Sequence, residues 1–111
     1  MNSVHLIGRL TSNPELQFGG DKEIPYCNFS IAVDRLKNKE GSQETDFPRI
    51  TAFGKIAENM NKYLVKGNLV CVDGSIRTSS YEKDGQKQYS SQIVANHVQF
   101  LQWNKQTEEE A

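Results

Sequence analysis

A small all-β barrel carrying one helix is the fold class this sequence predicts, on three observations. Strand-type alternation of apolar and polar residues recurs along most of the chain, helical spacing occurs once, and short turn-forming stretches separate the patterns. The resulting order of three strands, one helix and two strands matches the five-stranded Greek-key barrel known as the OB-fold. An open α+β sheet shares this element count. With 111 residues the chain is one domain and too short for two.

The elements follow in order. Val4, Leu6, Gly8 and Leu10 alternate with His5, Ile7 and Arg9, giving a first strand with apolar residues on both faces. Thr11-Ser12-Asn13-Pro14 reads as a turn, because Asn bonds its own backbone and Pro removes a donor. A short extended piece, Glu15 to Phe18, stops at Gly19-Gly20. The second strand, Tyr26 to Asp34, puts Cys27, Phe29, Ile31 and Val33 on one face and Asn28, Ser30, Ala32 and Asp34 on the other. Arg35 to Thr45, almost without apolar residues, is expected to be an exposed loop, and a third strand is expected from Phe47 to Phe53.

Ile56, Ala57, Met60, Tyr63 and Leu64 then recur at helical spacing, with Lys55, Glu58, Asn59 and Lys62 facing water. Lys66-Gly67 is the expected stop, a cation followed by a residue at ease with positive φ. A fourth strand runs from Leu69 to about Ser80, with Gly74 as the place for a bend or bulge. Asp84-Gly85 signals a hairpin, and the last strand runs from Tyr89 to about Gln102. The folded domain is thus residues 1–103, and residues 104–111 form a short, flexible, acidic tail.

Composition narrows the function. The net charge is -1, but Glu108, Glu109 and Glu110 sit in the tail, and residues 1–107 carry 13 basic against 11 acidic side chains. Nucleic-acid affinity must then come from local placement and stacking. No apolar run is long enough to span a bilayer and the first residues do not read as a signal peptide, so a cytoplasmic protein without membrane contact is expected. Cys27 shares a face with Phe29 and Ile31 and reads as a small core residue, while Cys71 has mixed neighbours and no activating base. His5 and His97 lack a Cys or carboxylate at ligand spacing, so no metal and no cofactor are expected. Asp34, Asp46 and Asp73 fall in or near strands, and although sequence distance does not forbid two of them from meeting around a nuclease metal, nothing in the sequence supports it; no phosphate loop, nucleophile elbow or dinucleotide fingerprint is present. The chain is not expected to be an enzyme.

The third strand carries the functional signal. In Phe47-Pro48-Arg49-Ile50-Thr51-Ala52-Phe53 the period of two puts Phe47, Arg49, Thr51 and Phe53 on one face. Arg is rarely buried unpaired, so this face should be wet, with two phenylalanines exposed beside an arginine and a threonine. Exposed rings interleaved with a cation form a stacking platform, because every base offers a π-face and the guanidinium meets phosphate. The other possibility is that the face packs on the helix or on another subunit and buries both rings. The fourth strand repeats the combination: Arg77 and Tyr81 share a polar face beside the Lys83 to Lys87 hairpin. Arg35 opens a loop bearing Lys37 and Lys39.

The residues in this order resemble the bacterial and phage single-stranded DNA-binding proteins. The likeness lies in Val4-His5-Leu6-Ile7-Gly8-Arg9-Leu10 with Asn13-Pro14-Glu15, in Asn28-Phe29-Ser30-Ile31-Ala32-Val33, and in Phe53-Gly54-Lys55-Ile56-Ala57-Glu58. Tyr63-Leu64-Val65-Lys66-Gly67 and Val72-Asp73-Gly74-Ser75-Ile76-Arg77-Thr78 continue it, so that it covers residues 3 to about 102. The resemblance implies an OB barrel, a homotetramer, and binding of single-stranded DNA in replication, recombination or repair, at the nucleoid. It implies base stacking on Phe47, Phe53 and Tyr81, and phosphate contacts from Arg35, Arg49, Lys55, Lys62, Arg77 and Lys87. Two departures stand out. A Trp common in the family after the second strand is replaced near Leu36. The family's long tail, whose acidic tip carries aromatic and Pro residues, has no counterpart, since Glu108 to Glu110 lack an apolar anchor. A short tailless form is expected, without recruitment of enzymes through the tail. The alternatives are a primosome-type OB protein bridging DNA and a replication partner, and an OB barrel acting only as a protein-interaction subunit.

Overall fold

The computed structural model describes residues 1–21, 23–36, 41 and 43–102. Lys37, Lys39, Trp103 and the 104–111 tail lie outside the described residues. Among the described residues seven strands and one helix run in the order β1 (Val4–Leu10), β2 (Gln17–Gly19), β3 (Ile24–Asp34), β4 (Thr45–Asp46), β5 (Arg49–Phe53), α1 (Lys55–Tyr63), β6 (Leu69–Lys83) and β7 (Gln86–Phe100).

Five of the strands close a barrel, as the element order predicts. The hydrogen-bonded circuit is β1–β6–β7–β5–β3 and back to β1, where Arg9 meets Ala32 and Leu10 meets Ile31. All these pairs are antiparallel except β5–β7, joined in parallel at Ile50–Ile93 and Thr51–Val94. The two-residue and three-residue strands β4 and β2 flank β3 and stand outside the circuit.

Alternation fills the barrel. Cys27, Phe29 and Ile31 of β3, Ile50 and Ala52 of β5, and Val70 and Val72 of β6 all point inward and are buried. α1 packs on β3 and β5 and contributes Ala57 and Met60 to the same core, followed by Leu64. β7 does not alternate in sequence, and a bulge is the reason. Asp73 pairs with His97 but Gly74 pairs with Ala95, which leaves Asn96 as the extra residue. Inward positions are therefore Ile93 and Ala95 before the bulge, and Val98 and Phe100 after it. The crossing is so close that a Cβ at Gly74 would stand 2.3 Å from the Val94 carbonyl oxygen, so glycine is required there.

Four expectations are corrected. The third barrel strand starts at Arg49, because Pro48 cannot donate to a ladder, and Phe47 sits on a connector. The polar segment after Asp34 is not wholly loop, since Thr45 and Asp46 pair with Asp34 and Val33. α1 stops at Tyr63, where Leu64 turns extended (φ -111°, ψ 147°) to enter the core. Gly67 does take positive φ, at 92°, but in the following turn, where the Val65 N–H donates to Asn68 Oδ1 at 2.8 Å. Finally, β6 and β7 are longer at the hairpin than the alternation suggested. They meet at a two-residue turn in which Asp84 and Gly85 have φ of 55° and 77°, the turn type that matches strand twist. Beyond Ser75 this ribbon is largely exposed on both faces.

Candidate nucleic-acid interface

Residues opposite one another on neighbouring strands share a face, so register places the outward side chains. The outward row of β5, Arg49, Thr51 and Phe53, lies opposite Ser30, Asn28 and Tyr26 of β3. On its other side Thr51 is level with Val94 of β7, and β6 adds Arg77 opposite Gln92. One wall of four strands results. Two hollows of about 380 and 430 Å³ lie on it and share Asn28, Thr51 and Gln92, forming a continuous furrow. Arg49 and Ser30 border one end, and Phe53, Tyr26 and Ile24 the other.

Thr51 departs from the sequence reading. It has the outward parity but is only 6% exposed, because its hydroxyl donates to Asn28 Oδ1 at 2.7 Å and the neighbouring strands cover it. The three candidate rings are open, with exposures of 62% for Phe47, 47% for Phe53 and 53% for Tyr81. Burial of the Phe47 and Phe53 face within the chain, the alternative that parity left open, does not occur.

The remaining candidates divide. Arg49 and Phe53 lie on the furrow, and Arg77 reaches it across Gln92. Lys55 opens α1 two residues beyond Phe53 and is exposed. Tyr81 lies four residues along β6 from Arg77, on the same face of the ribbon. Lys87 is opposite Glu82, hence on the ribbon's other face from Tyr81. Lys62 stands apart. Its Nζ lies 5.2 Å from the Tyr63 ring, which packs beside Phe100, eight residues and roughly 26 Å along β7 from Gln92.

Arg35 has partners of its own. Its guanidinium donates to both Asp46 carboxylate oxygens, at 2.9 and 2.7 Å, and to Glu44 at 2.6 Å. The Arg35 hydrogen bonds hold the Asp46 carboxyl below the usual carboxylate range, and Asp46 in turn raises Arg35. A phosphate approaching Arg35 must compete with two carboxylates.

Sequence reasoning passed over Tyr26, Asn28 and Gln92 as furrow residues. The signal was present in parity, since Tyr26 shares the polar face of its strand with Asn28 and Ser30. His5, which has no carboxylate at ligand spacing along the chain, gains one across strands, since β1–β6 pairing brings His5 Nδ1 to 2.6 Å from Asp73 Oδ1. Sequence distance hid this contact. Among the described residues no group of three or more His, Cys, Asp and Glu side chains is placed to hold a metal ion. Cys27 is buried, and burial pushes its thiol up to about 11, the opposite of an activated nucleophile.

The model of the single-strand binding protein family matches residues 1–101. The chain belongs to this family. It is 48% identical over 106 residues to single-stranded DNA-binding protein 2 of Clostridium acetobutylicum, covering 95% of this chain and 80% of that one. Single-stranded DNA-binding protein 1 of the same organism is 41% identical and comparable in length, with 96% and 98% covered. Among solved structures, the Plasmodium falciparum SSB in complex with ssDNA superposes with a TM-score of 0.78 at 26% identity, over 92% of this chain and 96% of that one. The family and the barrel agree with the expectations drawn from the sequence.

Proposed function

We propose that this protein binds single-stranded DNA with little sequence preference and protects it during replication, recombination or repair. The observation that carries the reading is the furrow, where Phe53 stands exposed at one end and Arg49 at the other on a single strand. Membership of the single-strand binding protein family supports it. Bases stack on Phe53, Phe47 and Tyr81, while Arg49, Arg77 and Lys55 meet the phosphates. Arg35, Lys62 and Lys87 make more distant contacts, reached only as a strand runs beyond the furrow. Stacking tolerates any base and needs base faces that a duplex keeps stacked on one another, so single strands are preferred. The role is binding, without catalysis, in the cytoplasm at the nucleoid. No helix among the described residues is long and apolar enough to cross a membrane.

The assembly we propose is a homotetramer. β1 pairs with β6 from Val4 to Arg9 but with β3 only at Arg9 and Leu10, so among the described residues nothing pairs with its other edge from Val4 to Gly8. Ile7 on that strand is 56% exposed. An open edge with an exposed apolar residue is suited to a symmetric copy of itself.

Titration of oligo-dT and mixed-sequence strands, followed by intrinsic Tyr and Trp fluorescence at two salt concentrations, tests the function. Affinities within about tenfold of one another and falling steeply with salt are expected. Duplex affinity equal to single-strand affinity would refute the reading.

A further inference from the structure

We infer that Tyr26 and Phe53 together form a nucleobase site, in which Tyr26 is a fourth stacking ring and the Asn28 amide meets the edge of the base. The inference rests on the proposed binding of single-stranded DNA and assigns a contact residue beyond the three rings and six cations named above.

The two rings face each other across the β3–β5 ladder. Tyr26 is directly opposite Phe53, with ring centroids 6.3 Å apart and planes inclined at 40°. That spacing and tilt exclude a base sandwiched between them. They form a corner, in which a planar ring lies on one face and brings its edge against the other. The corner opens onto the hollow of about 430 Å³, with Ile24 exposed at its lip.

Tyr26 owes its position to Gly19. β2 pairs with β3 so that the Tyr26 ring lies over Gly19, where a Cβ would come within 2.9 Å of ring atom Cε1. Any side chain at residue 19 would displace the ring from this position. The half-buried ring thus rests against Gly19 and borders the hollow.

The floor supplies the polar contact. Thr51 donates its hydroxyl to Asn28 Oδ1, which fixes the amide and turns its Nδ2 donors to other partners. Among the described residues nothing else in the protein accepts from Asn28 Nδ2, and Asn28 is exposed. Gln92 lines the same hollow. A corner of two rings with oriented amide donors beside it, in the next row of the ladder, suits a flat heterocycle bearing acceptors on its rim, which describes a nucleobase. Continuity with Arg49 along the furrow places phosphate contacts within reach of the same strand.

Photocrosslinking of the full chain to oligo-dT carrying 5-iodo-2'-deoxyuridine, with the adduct located by mass spectrometry, tests the site directly. An adduct on Tyr26 is expected. Alongside it, Tyr26→Leu, which keeps bulk but loses the π-face, should weaken oligo-dT binding roughly 5- to 150-fold, the range of one stacked base, whereas Tyr26→Trp should stay near wild type. Gly19→Ala should weaken binding in the same direction by displacing the ring. Wild-type binding of oligo-dT with no adduct at Tyr26 and full affinity in Tyr26→Leu would overturn this site and leave the single-strand reading standing. Should Tyr26→Leu fail to fold, the adduct map of the wild-type chain decides alone. A wild-type chain that does not bind oligo-dT would overturn both.

Discussion

Phe53→Ala separates binding from folding. In the free protein Phe53 is 47% exposed, so about half of a Phe side chain's burial free energy, roughly 1 kcal/mol, is lost on truncation. For a domain of this size that lowers Tm by roughly 4–8 °C. The stacking loss is larger in proportion, about 1–3 kcal/mol of binding, or roughly 5- to 150-fold in Kd. Phe29 is the matched control: it is 5% exposed on the inward row of β3, and Phe29→Ala should cost about 3–5 kcal/mol of stability by opening a cavity. Thermal melts and fluorescence titrations of the two variants should therefore diverge, with Phe53→Ala folded but weak in binding and Phe29→Ala unfolded or nearly so. Equal losses of Tm, with binding per folded molecule unchanged in Phe53→Ala, would refute the assignment of Phe53 to a stacking face.

Four further outcomes are expected. Asp46→Asn relaxes the hold on Arg35 and should tighten oligo-dT binding roughly two- to fivefold at low salt, with the gain fading at high salt; weaker binding would show that the clamp itself shapes the site. Because the folded Asp46 carboxyl lies below its ordinary value, its contribution is present above that value and lost only as pH falls through the lowered one, so titrations between pH 8 and 5 should show no step from this pair. For Cys27 the sign is reversed: the unfolded thiol ionises near 9.0 while the folded one keeps its proton to about 11, so stability present below pH 9 falls by an order of 2 kcal/mol across that interval. Urea melts at pH 8.5, 10 and 11 should show this slope in wild type and a shallower one in Cys27→Ala. Ile7→Glu places a charge on the exposed face of β1 and should shift the protein from oligomer to monomer in light scattering; a wild-type chain already monomeric at micromolar concentration would refute self-association through this strand.

Much of the fold was legible in the sequence because its information is local. Alternation in Cys27 to Val33 and in Leu69 to Tyr81, one helical stripe at Ile56 to Leu64, and the Asp84-Gly85 turn each report backbone geometry through residues a few positions apart. Parity on Arg49 and Phe53 likewise placed them on the wet wall, where the structure has them. What parity could not supply was the identity of the neighbours. Thr51 has the outward parity of Arg49 and Phe53, yet Asn28, 23 residues away in sequence, takes its hydroxyl. Arg35 looks like an available cation until β3 and β4 pair and bring it Asp46 and Glu44. The bulge at Asn96 re-phases β7, so which of its residues face inward is decided by how β6 pairs with it. Tyr26 becomes half of a ring pair only through the β3–β5 register, and its orientation depends on a missing side chain at Gly19. Secondary structure is set by contacts along the chain and can be read there; a binding wall is set by contacts across strands, and its composition exists only once the barrel has closed.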